Sequence, residues 1–209
     1  MWATPKNDRE NKLVLLAANT AGYFTAKQAA QAGYNYRLQG YHRDRGHWDK
    51  VDRGIFRLFN YPDSPYEDFI RWSLWSRDRN DSSQAVISHE SALTVYESGE
   101  TMPAKMHLTV PPGFRKSAPG GCVLYHAVLR PDEIEKKSGF VVTSPIRTLI
   151  DVAESDMSLD YLESAVRDMH AKGLLVRLAD LQSVQMSGQA KDKIKIIIEN
   201  IQRKPVTNV

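Results

Sequence analysis

The chain has 209 residues, 42% of them apolar, which is enough to bury a core and argues against disorder. No apolar run approaches the ~18–20 residues needed to span a bilayer, and the single cysteine, Cys122, excludes both an internal disulfide framework and a cysteine-based zinc site. The net charge of +3 is unevenly spread: residues 1–60 hold ten Lys/Arg against five acids (+5), and the remainder eighteen against twenty (−2), a basic module on a nearly neutral body.

In chain order, residues 8–19 predict a helix with Leu13, Leu16 and Ala17 on one face and Val14 beside them. Gly22 ends it. Thr25 caps a short helix over 26–32, and Gly33 breaks the chain. A third helix runs over 35–45 and is closed by Gly46. Two short strands follow, at 48–51 and 55–59, joined by a hairpin turn at Asp52, Arg53 and Gly54. Two short helices around a glycine turn, followed by a hairpin, outline a winged helix-turn-helix. Pro62 and Pro65 mark a linker at 61–66, so the expected domains are 1–62 and 63–209.

Beyond the linker, a helix at 66–77 crowds Phe69, Ile70, Trp72, Leu74 and Trp75, either as core or as a partner-binding face. Ser88 is placed to cap a helix that runs to Gly99. Strands are expected at 106–110, 122–128 and 140–143, and Ser144 and Pro145 open another helix. Leu159, Leu162, Val166 and Met169 predict an amphipathic helix. Ile194, Ile197, Ile198 and Ile201 predict a last one, as a dimer seam or as packing, after a polar loop at 187–193. The fold class expected is α+β: an N-terminal winged helix-turn-helix followed by a mixed α/β C-terminal domain with a small sheet.

The third helix carries most of the functional signal. Leu38 and Tyr41 are expected to face the core, leaving Tyr36, Arg37, Gln39, His42, Arg43 and Arg45 outward. Arg pairs bidentately with guanine and Asn or Gln with adenine in the major groove. The N-terminal residues of the second helix of this motif lie nearest the bases. Asn35, Tyr36, Arg37 and Gln39 are therefore candidate base contacts, and Lys27, Arg43 and Arg45 candidate phosphate contacts, with His42 on the same outward surface. Arg53 stands at the wing tip, within reach of the flanking minor groove, with Lys50 and Arg57 beside it. The partner these residue types fit is double-stranded DNA.

Three stretches taken together carry a resemblance. The first runs from Thr25, Ala26, Lys27, Gln28 and Ala29 through the Leu38 helix to residues 48–58, where Arg53, Gly54, Ile55 and Phe56 are the most specific part. The second is residues 86–93 with 107–111, and the third is residues 143–151. Together these resemble the AbiEi antitoxins of type IV toxin–antitoxin systems over about residues 8–155. The resemblance implies an antitoxin that represses its own operon, and the DNA partner expected is its own promoter, at inverted repeats. It also implies a C-terminal domain needed to counteract a nucleotidyltransferase toxin without forming a stable complex with it.

The other motifs do not assemble a catalytic set. Ser88, His89 and Glu90 are consecutive, and adjacent side chains diverge. His89, His107 and His126 lack metal-ligand spacing. Asp151 is expected to hold Arg147 at i, i+4. No phosphate-binding glycine loop is present. Neither enzyme activity nor a cofactor or metal is expected, and the location expected is cytoplasmic, with no membrane partner and, at residues 1–6, no secretory signal. A winged-helix-targeted, metal-dependent nuclease and a generic regulator with a protein-binding C-terminal domain stand as alternatives.

Overall fold

The structure, a computed structural model, describes residues 5–99 and 102–203. Two units are distinguished: Met1–Ala85 with Lys136–Phe140, and Val86–Glu135 with Val141–Val209. The class is α+β, as the sequence predicts.

The first unit contains α1 (Pro5–Ala18), β1 (Tyr23–Thr25), α2 (Ala26–Gln31), α3 (Tyr36–Asp44), β2 (Trp48–Asp52), β3 (Ile55–Leu58) and α4 (Glu67–Trp75). Its antiparallel sheet has the order β1-β3-β2. The core is Leu13, Ala17, Phe24, Ala29, Ala32, Tyr34, Trp48 and Phe56. Phe24 is fully buried and meets Trp48 edge-on, ring centres 4.9 Å apart, a geometry that adds to the burial of both rings. Thr25 starts α2 through a capping box: its hydroxyl accepts the Gln28 N–H, and the Gln28 side-chain oxygen accepts the Thr25 N–H. Gly22 has φ +80°, and a Cβ there would lie 2.3 Å from Tyr61 Cγ, so only glycine fits.

Several expectations change in this unit. Strand β1 was not anticipated; its three residues complete the sheet by pairing Phe24 with Phe56. Leu16 and Val14 are exposed, because the buried face of α1 is the narrower Leu13–Ala17 stripe. Tyr41 is 49% exposed, and Tyr34, just before α3, fills the core position with Leu38 packed against it. The expected division at 62/63 also falls short of the unit's end at Ala85, because α4 packs on β1 and β3 with Phe69, Ile70, Trp72 and Leu74 buried. Trp72 is thus core and not a partner-binding face.

The second unit is built on a mixed sheet of order β6-β5-β4-β8-β7. Its strands are β4 (Val86–Ile87), β5 (Met106–Val110), β6 (Cys122–His126), β7 (Ile134–Lys137) and β8 (Phe140–Thr143), with Lys136–Phe140, from the end of β7 to the start of β8, counted in the first unit. Helices α5 (His89–Val95), α6 (Pro145–Glu154), α7 (Leu159–Ala171), α8 (Ala179–Gln182) and α9 (Gly188–Arg203) complete it. The polar stretch 187–193 is the opening of α9, not a loop. Ser187 accepts the Ala190 N–H there, Ala190 is fully buried, and Lys193 donates to the Ala153 and Ser155 carbonyls. Ile194, Ile197, Ile198 and Ile201 are buried where α9 packs on α6, α7 and α8, so the stripe is internal packing.

Candidate nucleic-acid interface

Helices α2 and α3 and the β2–β3 wing meet around one residue, Ala26. Its N–H donates to Gly54 O in the wing turn at 2.8 Å. Its carbonyl accepts the Gln39 amide of α3 at 3.0 Å. The start of α2 therefore fixes the wing through a main-chain bond and the second helix through the Gln39 side-chain amide.

Against this frame the candidate residues separate. Tyr36 opens α3 and is 90% exposed, and Arg37 beside it is exposed. Arg43 and Arg45 are exposed at the other end of α3. Arg43 Nε donates to Asp44 Oδ1 at 2.8 Å, and the Arg45 guanidinium lies 5.5 Å from the Tyr41 ring centre. Lys50 and Arg53 are exposed on the wing, and Gly54 (φ +72°) makes the turn that carries Arg53. Lys27 is exposed, and its amine donates to Arg79 O at 2.6 Å. His42 is half-buried: its ring stacks on Trp48, centres 4.9 Å apart, and its Nδ1 lies 3.1 Å from His47 Nδ1.

Two candidates leave the set. Gln39 is buried, and its amide donates to Tyr34 O at 2.8 Å as well as to Ala26 O, so it holds α3 to α2 and does not face a base edge. The Arg57 guanidinium turns away from the wing surface. Its Nη2 lies 2.6 Å from Glu67 Oε1 and 3.2 Å from Asp63 Oδ1, and within hydrogen-bond distance of the Tyr61 and Pro62 carbonyls. Glu67 also accepts from the Tyr23 hydroxyl at 3.0 Å; burial and that bond push the Tyr23 phenol up to about 12. Asn35 is exposed, but Oδ1 accepts the Leu38 N–H at 3.0 Å as the N-cap of α3. An asparagine three residues before the first apolar position of the helix is a sequence signal for that cap.

A second polar group lies within the C-terminal unit. His89 has φ +51° and stacks on Tyr125 with ring centres 3.6 Å apart. Its Nδ1 is 3.0 Å from Ser88 Oγ and 4.0 Å from Asp151 Oδ2. One ring nitrogen faces both groups, whereas a hydrolase triad needs the two nitrogens to face different partners. Arg147 Nε donates to Asp151 Oδ1 at 2.7 Å, the i, i+4 pair expected from sequence, and Arg147 Nη1 donates to Glu133 Oε1 at 3.0 Å. Asp151 Oδ2 is buried with no hydrogen-bond partner among the described residues. Burial holds the Asp151 carboxyl up at about 6 and pushes the His89 imidazolium down to about 3.

The winged segment matches a known family: residues 11–58 fit the family described as a transcriptional regulator, AbiEi antitoxin. The match runs from within α1 to the end of β3 and includes no residue of the C-terminal unit. No curated protein matches the chain. Among solved structures, the crystal structure of the RV2827C protein from Mycobacterium tuberculosis is similar over 96% of this chain and 83% of that one, with a TM-score of 0.54 and 14% identity. At that identity the likeness is one of fold.

Proposed function

We propose that this chain, with its AbiEi-regulator-like winged segment, is a sequence-specific DNA-binding repressor and the antitoxin of a type IV toxin–antitoxin pair. The observation that carries the reading is the exposure of Tyr36 and Arg37 at the N-terminal end of α3. That is the end of the second helix that lies nearest the bases in this motif. Arg37 is assigned a base edge, Tyr36 an apolar or hydrogen-bonding base contact, and Arg43, Arg45 and Lys50 the phosphates. Arg53 is assigned the flanking minor groove, where cationic side chains are favoured. The DNA is the chain's own promoter, carrying inverted repeats. The C-terminal unit acts against a nucleotidyltransferase toxin in the cytoplasm without a stable complex. The reading includes no catalytic step, metal or cofactor.

The test is a mobility-shift titration of the full chain on its own promoter over a range of salt. A specific complex is expected, with affinity falling steeply as salt rises because bound phosphates release counterions. Arg37→Ala should erase the preference for promoter over random duplex. No retardation at low salt overturns the reading. Co-expression with the neighbouring toxin gene tests the antitoxin half: growth rescue is expected, and rescue that requires a co-purifying complex contradicts the type IV assignment.

A further inference from the structure

The loop after α4 brings a further arginine to the same corner of the winged unit. Lys27 donates to the main-chain carbonyl of Arg79, 52 residues away, at 2.6 Å. Lys27 is the neighbour of Ala26, whose N–H is bonded to Gly54 beside Arg53. Three separate segments that carry basic residues, the wing with Arg53, α2 with Lys27 and the loop with Arg79, are thus tied to one another through Ala26 and Lys27. The loop itself is held in shape. Asp78 Oδ1 accepts the Asn80 N–H at 2.8 Å and the Ser82 N–H at 3.0 Å. Arg77 Nη1 pairs with Asp81 Oδ2 at 3.1 Å, both side chains mostly buried. The two acids are therefore occupied within the loop, while Arg79 is exposed.

We propose that the Arg79 loop is a third contact to nucleic acid, binding a phosphodiester of the duplex beside the groove met by Arg53. This rests on the DNA-binding reading above and adds a contact to it. The first helix of a helix-turn-helix pair crosses the sugar–phosphate backbone, and Lys27 lies near its start. A fixed loop loses little conformational freedom on binding, so its exposed Arg79 contributes more than an arginine on a mobile tail would. A contact of this kind carries no base information.

The experiment compares full-length wild type with Arg79→Ala and Arg79→Lys on promoter and random duplex across salt concentrations. Each phosphate contact contributes about 0.9 to the slope of log K against log salt on B-form DNA. Arg79→Ala should flatten the slope by about that amount and weaken promoter and random duplex equally. Arg79→Lys should keep the slope. Arg79→Glu should weaken both duplexes further, with an unchanged melting temperature showing that the fold is intact. An Arg79→Ala slope and affinity equal to wild type, in a protein whose preference Arg37→Ala still erases, overturns this inference alone. Absence of wild-type binding overturns it together with the DNA-binding reading.

Discussion

Gln39 Nε2 donates to Ala26 O at 3.0 Å, and through this bond the second helix of the motif is fastened to the first. The same nitrogen serves Tyr34 O at 2.8 Å, and the Gln39 side chain is buried. Gln39→Leu removes two hydrogen bonds and is expected to cost about 1–3 kcal/mol of stability in chemical denaturation. Promoter preference, measured at a temperature where the variant is folded, should be retained. Altered base preference without loss of stability would return Gln39 to the base-reading set.

Arg57 makes a similar distinction on the wing. Its side chain is 17% exposed and its partner Glu67 28% exposed, so the pair is screened less than a surface bridge. Arg57→Ala leaves the Glu67 carboxylate with the Tyr23 hydroxyl and the Ser64 N–H, and should cost about 1–3 kcal/mol, as for hydrogen bonds to charged groups. Glu67→Gln should show much of the same loss, and the double variant less than the sum. The salt slope of DNA binding should not move. A flattened slope in Arg57→Ala with full stability would make it a phosphate contact after all.

Those two residues show where the sequence was legible. The Thr25 cap, the Arg53–Gly54 turn and the Arg147–Asp151 pair are local: their partners lie within a few positions, so spacing alone reveals them. Gln39 and Arg57 look the same in sequence whether they face DNA or a carbonyl. Glu67, beyond a proline-marked linker, and Ala26, thirteen residues back, decide the matter. Strand β1 is too short to show alternation, and it exists because β3 offers it an edge. Tyr34 and Tyr41 are chemically alike; the Gly33 turn points Tyr34 at Trp48, so Tyr34 and not Tyr41 fills the core. Arg79 had no local signal, because only the fold brings it to Lys27.

Asn35 offers a separation of two roles within one side chain. As the N-cap of α3 it satisfies the Leu38 N–H. Asn35→Ala should cost about 1 kcal/mol, the usual penalty for a lost cap, whereas Asn35→Ser should retain most of the stability. If Asn35 only caps, the serine variant should also bind the promoter like wild type. Full stability with lost promoter preference in Asn35→Ser would show that the carboxamide reads a base. Thermal melts and shift titrations of the two variants decide it.

The buried groups of the C-terminal unit predict an unusual acid response. His89 titrates at about 3 in the folded state against an ordinary 6.5, so the unfolded chain binds the extra proton between those values. Its contribution to stability is lost as pH falls from 6.5 towards 3. Asp151 has the opposite sign: held up at about 6 against an ordinary 3.8, it keeps its proton in the folded state, and its contribution is lost as pH rises from 3.8 to 6. Burial is the first cause of both shifts; the His107 and Arg147 charges add to the lowering of His89, and Arg147 opposes the raising of Asp151. In the wild type the two slopes oppose each other over the shared window, from 3.8 to about 6. Asp151→Asn removes one of them, so its urea midpoint should fall more steeply than the wild-type midpoint as pH is lowered through that window. His89→Gln should do the reverse, its midpoint rising on acidification relative to wild type. Parallel profiles for all three proteins would mean that neither group is held away from its ordinary titration by the fold.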